Sequence, residues 1–151
     1  MKRSIKDLMP NPNKRYKQGF YDSHNPKRYF GKRPIIYRSS LELRFMNWCE
    51  TSSVVQSWSS EPEPGIPYFD AKNNYHTYFP DFIVMFKDGT RLLVEVKPKS
   101  EVPINELQIR TNPIKAKNAM KWKAAIEFAK RNNMKFVIVT EDFFGKQHVT
   151  K

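Results

Sequence analysis

Three ionisable residues stand at the ends of two short apolar segments near the middle of the chain. Asp81 directly precedes Phe82–Phe86, and Glu95 and Lys97 close the segment that begins at Leu92. An ionisable pair at the end of an apolar strand is costly to bury without a purpose. Carboxylate oxygens suit Mg²⁺, and a lysine beside them can stabilise charge on phosphate oxygens. These residue types therefore favour metal-dependent cleavage of a phosphodiester.

The geometry of this pair depends on the turn between the two segments, at residues 87–89. A two-residue turn would place Asp81 on the face opposite to Glu95. A three-residue turn, with its final glycine in the left-handed conformation, pairs Phe86 with Thr90 and brings Asp81 opposite Glu95. Directly opposed residues have Cβ atoms about 4.5–5.5 Å apart, close enough for two carboxylates to share one divalent ion. We predict the three-residue turn.

A third carboxylate, Glu42, is a candidate to complete a metal shell. It lies on a helix that is predicted to begin near Ser39 or Ser40. The spacing Ser39-x-x-Glu42 is also that of a capping box, in which the glutamate caps the start of its own helix. From the residues alone, the two interpretations of Glu42 remain equally open.

The motifs resemble a known family. Pro80-Asp81 followed by Glu95-Val96-Lys97 is similar to the signature of the PD-(D/E)XK nuclease superfamily. An ordered set of five segments resembles the TnsA-type branch, which contains transposon-end endonucleases and tailed-phage nucleases: Tyr37–Glu42, Tyr78–Asp81, Glu95–Pro98, Lys121–Ala125 and Val139–Glu141. The length and basic N-terminal segment look most like the head-completion proteins of T-even-type phages.

The resemblance implies a role for each matching residue. Glu42, Asp81 and Glu95 would bind Mg²⁺, for which Mn²⁺ would substitute, and Lys97 would be catalytic. Lys121 occupies the place from which the second helix of many relatives supplies a further polar residue. A solvated helix lysine is the alternative for Lys121.

The resemblance also implies an α/β fold with a restriction-endonuclease-like core in the order αβββαβ. Physically this is a mixed, mainly antiparallel sheet flanked by helices on both faces. After the second motif strand, a polar loop is predicted to run to Asn112, which caps a long helix with Pro113 in its first turn. The predicted buried stripe of that helix is Ala119, Trp122, Ile126 and Ala129, and a last strand covers Phe136–Thr140.

Positive charge is concentrated at the N-terminus. The net charge is +12, and residues 1–38 hold eleven of the 27 Lys and Arg residues against two acidic ones. This segment also contains prolines and interspersed aromatic residues, a composition suited to phosphate contacts and stacking. We predict a basic N-terminal arm (residues 1–38) and a nuclease-like core domain (residues 39–151). The arm packs on the core or on DNA, and a solvated or partner-docked tail is the alternative. Its predicted DNA contacts are Lys14, Arg15, Lys17, Lys27, Arg28, Lys32 and Arg33.

Other functional classes find little support in the sequence. The single cysteine, Cys49, excludes an internal disulfide and stands at helical spacing from Phe45, which favours a place in the core. No apolar run has membrane-spanning length, and no small-molecule organic cofactor is expected.

By resemblance, the expected function is an Mg²⁺-dependent DNA endonuclease in phage head completion or genome-end processing. Its partners would be DNA and phage portal or neck proteins, in the virion or the host cytoplasm. A non-catalytic DNA-end-binding head protein and a transposon-end endonuclease are the alternatives.

Overall fold

The computed structural model describes residues 18–25 and 27–149, which form eight strands and four helices. The strands are β1 (Gly19–Tyr21), β2 (Ile35–Tyr37), β3 (Val55–Ser60), β4 (Ile66–Phe69), β5 (Tyr75–Tyr78), β6 (Phe82–Phe86), β7 (Arg91–Val96) and β8 (Lys135–Val139). The helices are α1 (Ser40–Thr51), α2 (Glu106–Thr111), α3 (Pro113–Arg131) and α4 (Glu141–Val149), with a 3₁₀ turn at Lys99–Glu101.

The central sheet has the strand order β3-β6-β7-β8. Its first two neighbouring pairs are antiparallel, and β7 and β8 are parallel. Parallel neighbours need a crossover connection, which α3 provides. The predicted αβββαβ core and mainly antiparallel sheet are therefore confirmed, with the β4–β5 hairpin inserted between β3 and β6.

The β6–β7 hairpin has the register predicted from the sequence. The Phe86 N–H donates to the Thr90 carbonyl at 2.8 Å, and the Gly89 N–H donates to the Phe86 carbonyl at 3.0 Å. Gly89 has φ +92°, the left-handed conformation that a three-residue turn requires. The pairing continues without a shift to Phe82 opposite Val94. The register of the hairpin therefore places Asp81 opposite Glu95.

Two hydrophobic cores lie on opposite faces of the sheet because side chains alternate along its strands. One face packs against α1 and α4 through Phe45, Val94 and Phe144. The other packs against α3 and the β4–β5 hairpin through Leu93 and Trp122. Glu95 has the strand parity of Leu93, so its side chain belongs to the α3 face.

The described half of the predicted arm is integrated into the core domain. Strands β1 and β2 pair with each other, and Tyr29 bridges to Trp58 with an edge-to-face ring contact at 4.7 Å. Tyr29, Ile35 and Ile36 are all buried. The described part of the arm thus packs on the core. Lys14, Arg15 and Lys17 lie outside the described residues.

Two local predictions need correction, and one helix was not predicted. The segment predicted as a polar loop between Pro98 and Asn112 contains the 3₁₀ turn and α2, and a further helix, α4, follows β8. In α3, Trp122 and Ala129 are buried as predicted, but Ile126 is 44% exposed. Ala125 occupies the buried position in its place.

Within the described ranges, no helix is both long enough and apolar enough to span a membrane.

Candidate active site

Asp81 is fixed against β7 by two hydrogen bonds, one on each side of Glu95. Its backbone N–H donates to the Val94 carbonyl at 3.1 Å. Its carboxylate Oδ2 accepts the Val96 N–H at 2.8 Å. The Asp81 side chain therefore satisfies a backbone donor that the end of β6 would otherwise leave unpaired.

Glu95 is buried, with only 3% of its surface exposed. Its Oε1 accepts the Tyr78 hydroxyl proton at 2.8 Å, and its side chain also hydrogen-bonds to that of Asp81. The two carboxyl groups are thus in contact, as the predicted register requires. A buried polar side chain is stable only when such partners satisfy it.

The structure shows Glu42 at the start of α1, where it takes part in capping. Ser39 is the N-cap of α1, and its Oγ accepts the Glu42 N–H at 3.1 Å, which is half of a capping box. The Glu42 carboxylate accepts the backbone N–H of Arg38 at 3.2 Å, one residue before the donor that a capping box uses. Burial, followed by the charge of Asp81, raises the pKa of Glu42 well above its usual value. Glu42 therefore caps its helix and lies within electrostatic reach of the carboxyl pair.

Glu61 is a fourth carboxylate in this region, and the sequence analysis did not identify it. It is 8% exposed and has φ +48°, a left-handed conformation that is uncommon for a residue with a side chain. Its N–H donates to the Asp81 carbonyl at 2.7 Å, and its Oε1 accepts from Arg38 Nε at 2.8 Å. Glu61 also raises the pKa of Glu42. Arg38 thus links α1 to the segment that follows β3.

Two lysines face the carboxyl pair. Lys97 follows β7, and its N–H donates to the Val139 carbonyl at 3.0 Å, which holds it at the end of the parallel β7–β8 pair. Its ammonium lies 3.9 Å from the Glu101 carboxylate. Lys121 of α3 lies over the Tyr78 ring, with Nζ 5.6 Å from the centroid. The structure thus brings Lys97 and Lys121 to the same side of the sheet as Glu95.

The pKa directions reflect like charges in a poorly solvated site. Burial, followed by the charge of Glu95, raises the pKa of Asp81 well above its usual value. Burial raises the pKa of Glu95 as well, although Lys97 and the Tyr78 hydrogen bond oppose this. Desolvation lowers the pKa of Lys121, and neighbouring Lys97 contributes. Two carboxyls that share one site do not both ionise readily without a compensating cation.

Asp81 and Glu95 have the donor chemistry that a divalent cation requires. Their oxygens are hard ligands in contact with each other, and a bound cation would favour the doubly ionised pair. Among the residues that the structure describes, no group of three or more His, Cys, Asp or Glu side chains is arranged to hold a metal ion. Glu42 belongs to α1, which packs on the face of the sheet opposite to α3. The pair therefore fits a cation, and Glu42 would need to move towards it to become a direct ligand.

The predicted DNA contacts that fall on described residues have different surroundings. Lys27 is exposed, Lys32 Nζ lies 3.2 Å from the Glu63 carboxylate, and the Arg33 guanidinium lies 5.1 Å from the Tyr29 ring centroid. Arg28 also has a structural role, which the sequence did not predict. Its Nη1 donates to the carbonyls of Cys49 and Ser52, at 2.9 and 2.7 Å, and so closes the C-terminal end of α1.

The core has the element order αβββαβ, and the ends of its hairpin strands carry two contacting carboxyls and a lysine. These features define the restriction-endonuclease-like class of nucleases. Residues 52–141 match the family model described as TnsA-like endonuclease N terminal. The chain belongs to this family of endonucleases. The matched range contains Asp81, Glu95, Lys97 and Lys121, whereas Glu42 precedes it.

The chain is also similar to the head completion nuclease of Enterobacteria phage T4. The two are 33% identical over 131 residues, which cover 78% of this chain and 87% of the phage T4 protein. The predicted resemblance to the TnsA-type branch and to phage head-completion proteins is therefore confirmed.

Proposed function

We propose that this protein is an Mg²⁺-dependent DNA endonuclease whose cation is held by Asp81 and Glu95, with Mn²⁺ able to substitute. The observation that carries the proposal is the contact between these two carboxyls, which the backbone of β7 fixes from both sides. A purely structural role would not require two buried acids whose ionisation is mutually unfavourable. Binding of a divalent cation would supply the missing compensation.

The surrounding side chains have distinct parts in this proposal. When bound, Mg²⁺ would polarise the phosphate and lower the pKa of a coordinated water. Lys97 places its ammonium beside the pair, where it can orient the attacking water or stabilise charge that develops on the phosphate oxygens. Lys121 adds a second positively charged side chain, from α3. It lies close enough to Glu95 and Lys97 for their charges to affect its pKa.

We also propose that cleavage serves phage head completion or genome-end processing after packaging. The similarity to the phage T4 head completion nuclease over most of both chains supports this role. The protein would then contact the portal or neck proteins that hold the packaged DNA end, in the virion or the host cytoplasm. The net charge of +12 suits sequence-independent contact with phosphates.

The test is incubation of the purified protein with supercoiled and linear DNA, in the presence of Mg²⁺, Mn²⁺ or EDTA. We expect nicking or cleavage with either cation and none with EDTA. Glu95→Gln is the matched variant, because it keeps the acceptor for Tyr78 and removes the charge. Cleavage that persists in EDTA, or in Glu95→Gln at the wild-type rate, would contradict the proposal.

Cut-site mapping on unrelated DNA sequences separates this role from the alternatives. A nuclease that acts at a position set by its virion partners should cut without one strongly preferred sequence. A single preferred recognition sequence would instead indicate a transposon-end or restriction type of nuclease. DNA binding without any metal-dependent cleavage would indicate a non-catalytic head protein.

A further inference from the structure

Tyr78 is the buried residue that holds Glu95 in place. It ends β5, where it pairs with Ile66, and it is 3% exposed. Its hydroxyl donates to Glu95 Oε1 at 2.8 Å across the interface between the β4–β5 hairpin and the central sheet. The ring packs in the core cluster that contains Leu93 and Trp122, so its orientation is fixed by packing. Because packing holds the Tyr78 hydroxyl in one position, its hydrogen bond also holds the Glu95 carboxylate in one position.

The position of Tyr78 in the chain couples it to the other carboxylate. Only two residues separate Tyr78 from Asp81, so one short segment supplies both a carboxylate of the site and the donor that orients its partner. The two residues approach Glu95 differently. Asp81 is bound to the backbone on either side of Glu95, whereas Tyr78 binds the side chain itself. Backbone and side chain of Glu95 are thus restrained by the same connection between β5 and β6.

The hydroxyl engages one oxygen of the carboxylate. The carboxylate accepts this hydrogen bond through Oε1 and faces Asp81 as well, and outer partners such as the hydroxyl orient metal ligands and tune their basicity. In the absence of the hydroxyl, Glu95 Oε1 would lose its hydrogen-bond donor in a buried environment, and the side chain would lose one of its restraints.

The ring of Tyr78 has a second contact, with Lys121. The Lys121 ammonium lies over the ring face, 5.6 Å from the centroid, in the geometry of a cation–π interaction. This contact depends on the ring and not on the hydroxyl. Removal of the hydroxyl alone therefore isolates the effect on Glu95 from any effect on Lys121.

We propose that Tyr78 is a positioning residue for the metal site, which presents one Glu95 oxygen to the cation through the hydroxyl hydrogen bond. This inference rests on the proposed function, because it requires a cation at Asp81 and Glu95. Tyr78 touches neither DNA nor the reacting atoms in this account. Its effect is on the affinity of the site for the cation.

The experiment measures Mn²⁺ binding by the full-length protein without DNA, by calorimetry or by the electron paramagnetic resonance of free Mn²⁺. Cleavage of supercoiled DNA is then measured as a function of Mg²⁺ concentration. The variant is Tyr78→Phe, which keeps the ring, the core packing and the contact with Lys121. The control is Tyr68→Phe, a buried tyrosine on the paired strand whose ring stacks on His76.

We expect Tyr78→Phe to weaken Mn²⁺ binding by about 10–100-fold, the usual cost of losing an outer-shell partner. The Mg²⁺ concentration for half-maximal cleavage should rise by a similar factor, while the rate at saturating Mg²⁺ returns towards the wild-type value. Tyr68→Phe should change neither quantity. Far-ultraviolet circular dichroism of both variants should match the wild type.

Three results would overturn the inference, and they are distinguishable. Unchanged Mn²⁺ binding by Tyr78→Phe, with normal binding and cleavage by the wild type, rejects the positioning role and leaves the proposed function intact. An equal loss in Tyr68→Phe assigns the effect to packing of the hairpin. A wild-type protein that neither binds Mn²⁺ nor cleaves with it rejects the proposed function and this inference together.

Discussion

Asp81 forms hydrogen bonds with the backbone on both sides of Glu95, which lies on the neighbouring strand. Its N–H donates to the carbonyl of the residue before Glu95, and its carboxylate accepts the N–H of the residue after it. Both bonds are made to the backbone of β7, so they hold Asp81 at the level of Glu95. The predictions below follow from this enforced proximity and from the residues around it.

The first prediction concerns the stability of the metal-free protein. The pKa of Asp81 is raised well above its usual value of 3.8, because the carboxyl is buried beside Glu95. The folded protein therefore keeps protons that the unfolded chain has already released. This group favours the folded state at pH values below about 3.8, and that contribution is lost as the pH rises through the raised pKa.

Asp81→Asn should therefore raise the melting temperature in EDTA at pH 7, by about 2–4 °C for each kcal/mol gained. The asparagine oxygen can still accept from Val96, and its amide can donate to Glu95. The difference should shrink towards pH 4, and Mg²⁺ should stabilise only the wild type. Asp88→Asn is the control, since Asp88 also accepts a backbone N–H, but in an exposed turn where its pKa is lowered. A lower melting temperature for Asp81→Asn at pH 7 would contradict the account.

The second prediction separates the two roles of Glu42. Ser39→Ala removes the helix cap and should cost about 0.5–2 kcal/mol of stability, with cleavage retained below the unfolding transition. Glu42→Gln keeps an acceptor for the Arg38 N–H and removes the charge. Its stability in EDTA at pH 7 should not fall, because burial raises the pKa of Glu42 as it does that of Asp81, and cleavage should fall by about tenfold or more if Glu42 serves the cation. Wild-type cleavage by Glu42→Gln would leave Glu42 with the capping role alone.

The third prediction concerns Lys97. Lys97→Met should reduce the cleavage rate by about 10²–10³-fold, the typical loss for one group that stabilises transition-state charge. DNA affinity should persist, with a salt dependence reduced by no more than about one phosphate contact. Lys123→Met, at an exposed position of α3, is the matched control. A parallel loss of binding and cleavage would place Lys97 in substrate binding instead.

The fourth prediction concerns the basic N-terminus. Deletion of residues 2–17 removes six Lys and Arg residues and one Asp. If they contact phosphates, the slope of log affinity against log salt should decrease by up to about 5. A longer deletion, to Gly31, should instead lower the melting temperature, because it removes the buried Tyr29. An unchanged salt slope after the short deletion would assign the basic segment to a protein partner.

Local chemistry explains which features the sequence predicted correctly. Gly89 determines the turn, the turn determines the register, and the register brings Asp81 to Glu95. The start of α3 follows in the same way, because Asn112 accepts the N–H groups of Ile114 and Lys115. Each of these features depends on residues a few positions apart. Such signals survive in the folded protein because tertiary contacts do not oppose them.

The missed features depend on contacts between distant segments. The hydrogen bond of Tyr78 with Glu95 forms only after the β4–β5 hairpin packs on the sheet. Glu61 is held near the site by its hydrogen bond with Arg38. Nothing in the local sequence distinguishes Arg28 from its basic neighbours, yet it alone of the described set closes a helix end. Helix α2 is short and polar, so it has no apolar periodicity by which to recognise it.

The most direct test of the central claim is the position of the cation. Crystals of the protein grown or soaked with Mn²⁺ should show an anomalous peak in contact with carboxylate oxygens of both Asp81 and Glu95, at a ligand distance of roughly 2.0–2.3 Å. The peak should be absent from Asp81→Asn crystals prepared in the same way. A Mn²⁺ peak elsewhere in a protein that cleaves DNA with Mn²⁺, and none at this pair, would contradict the account.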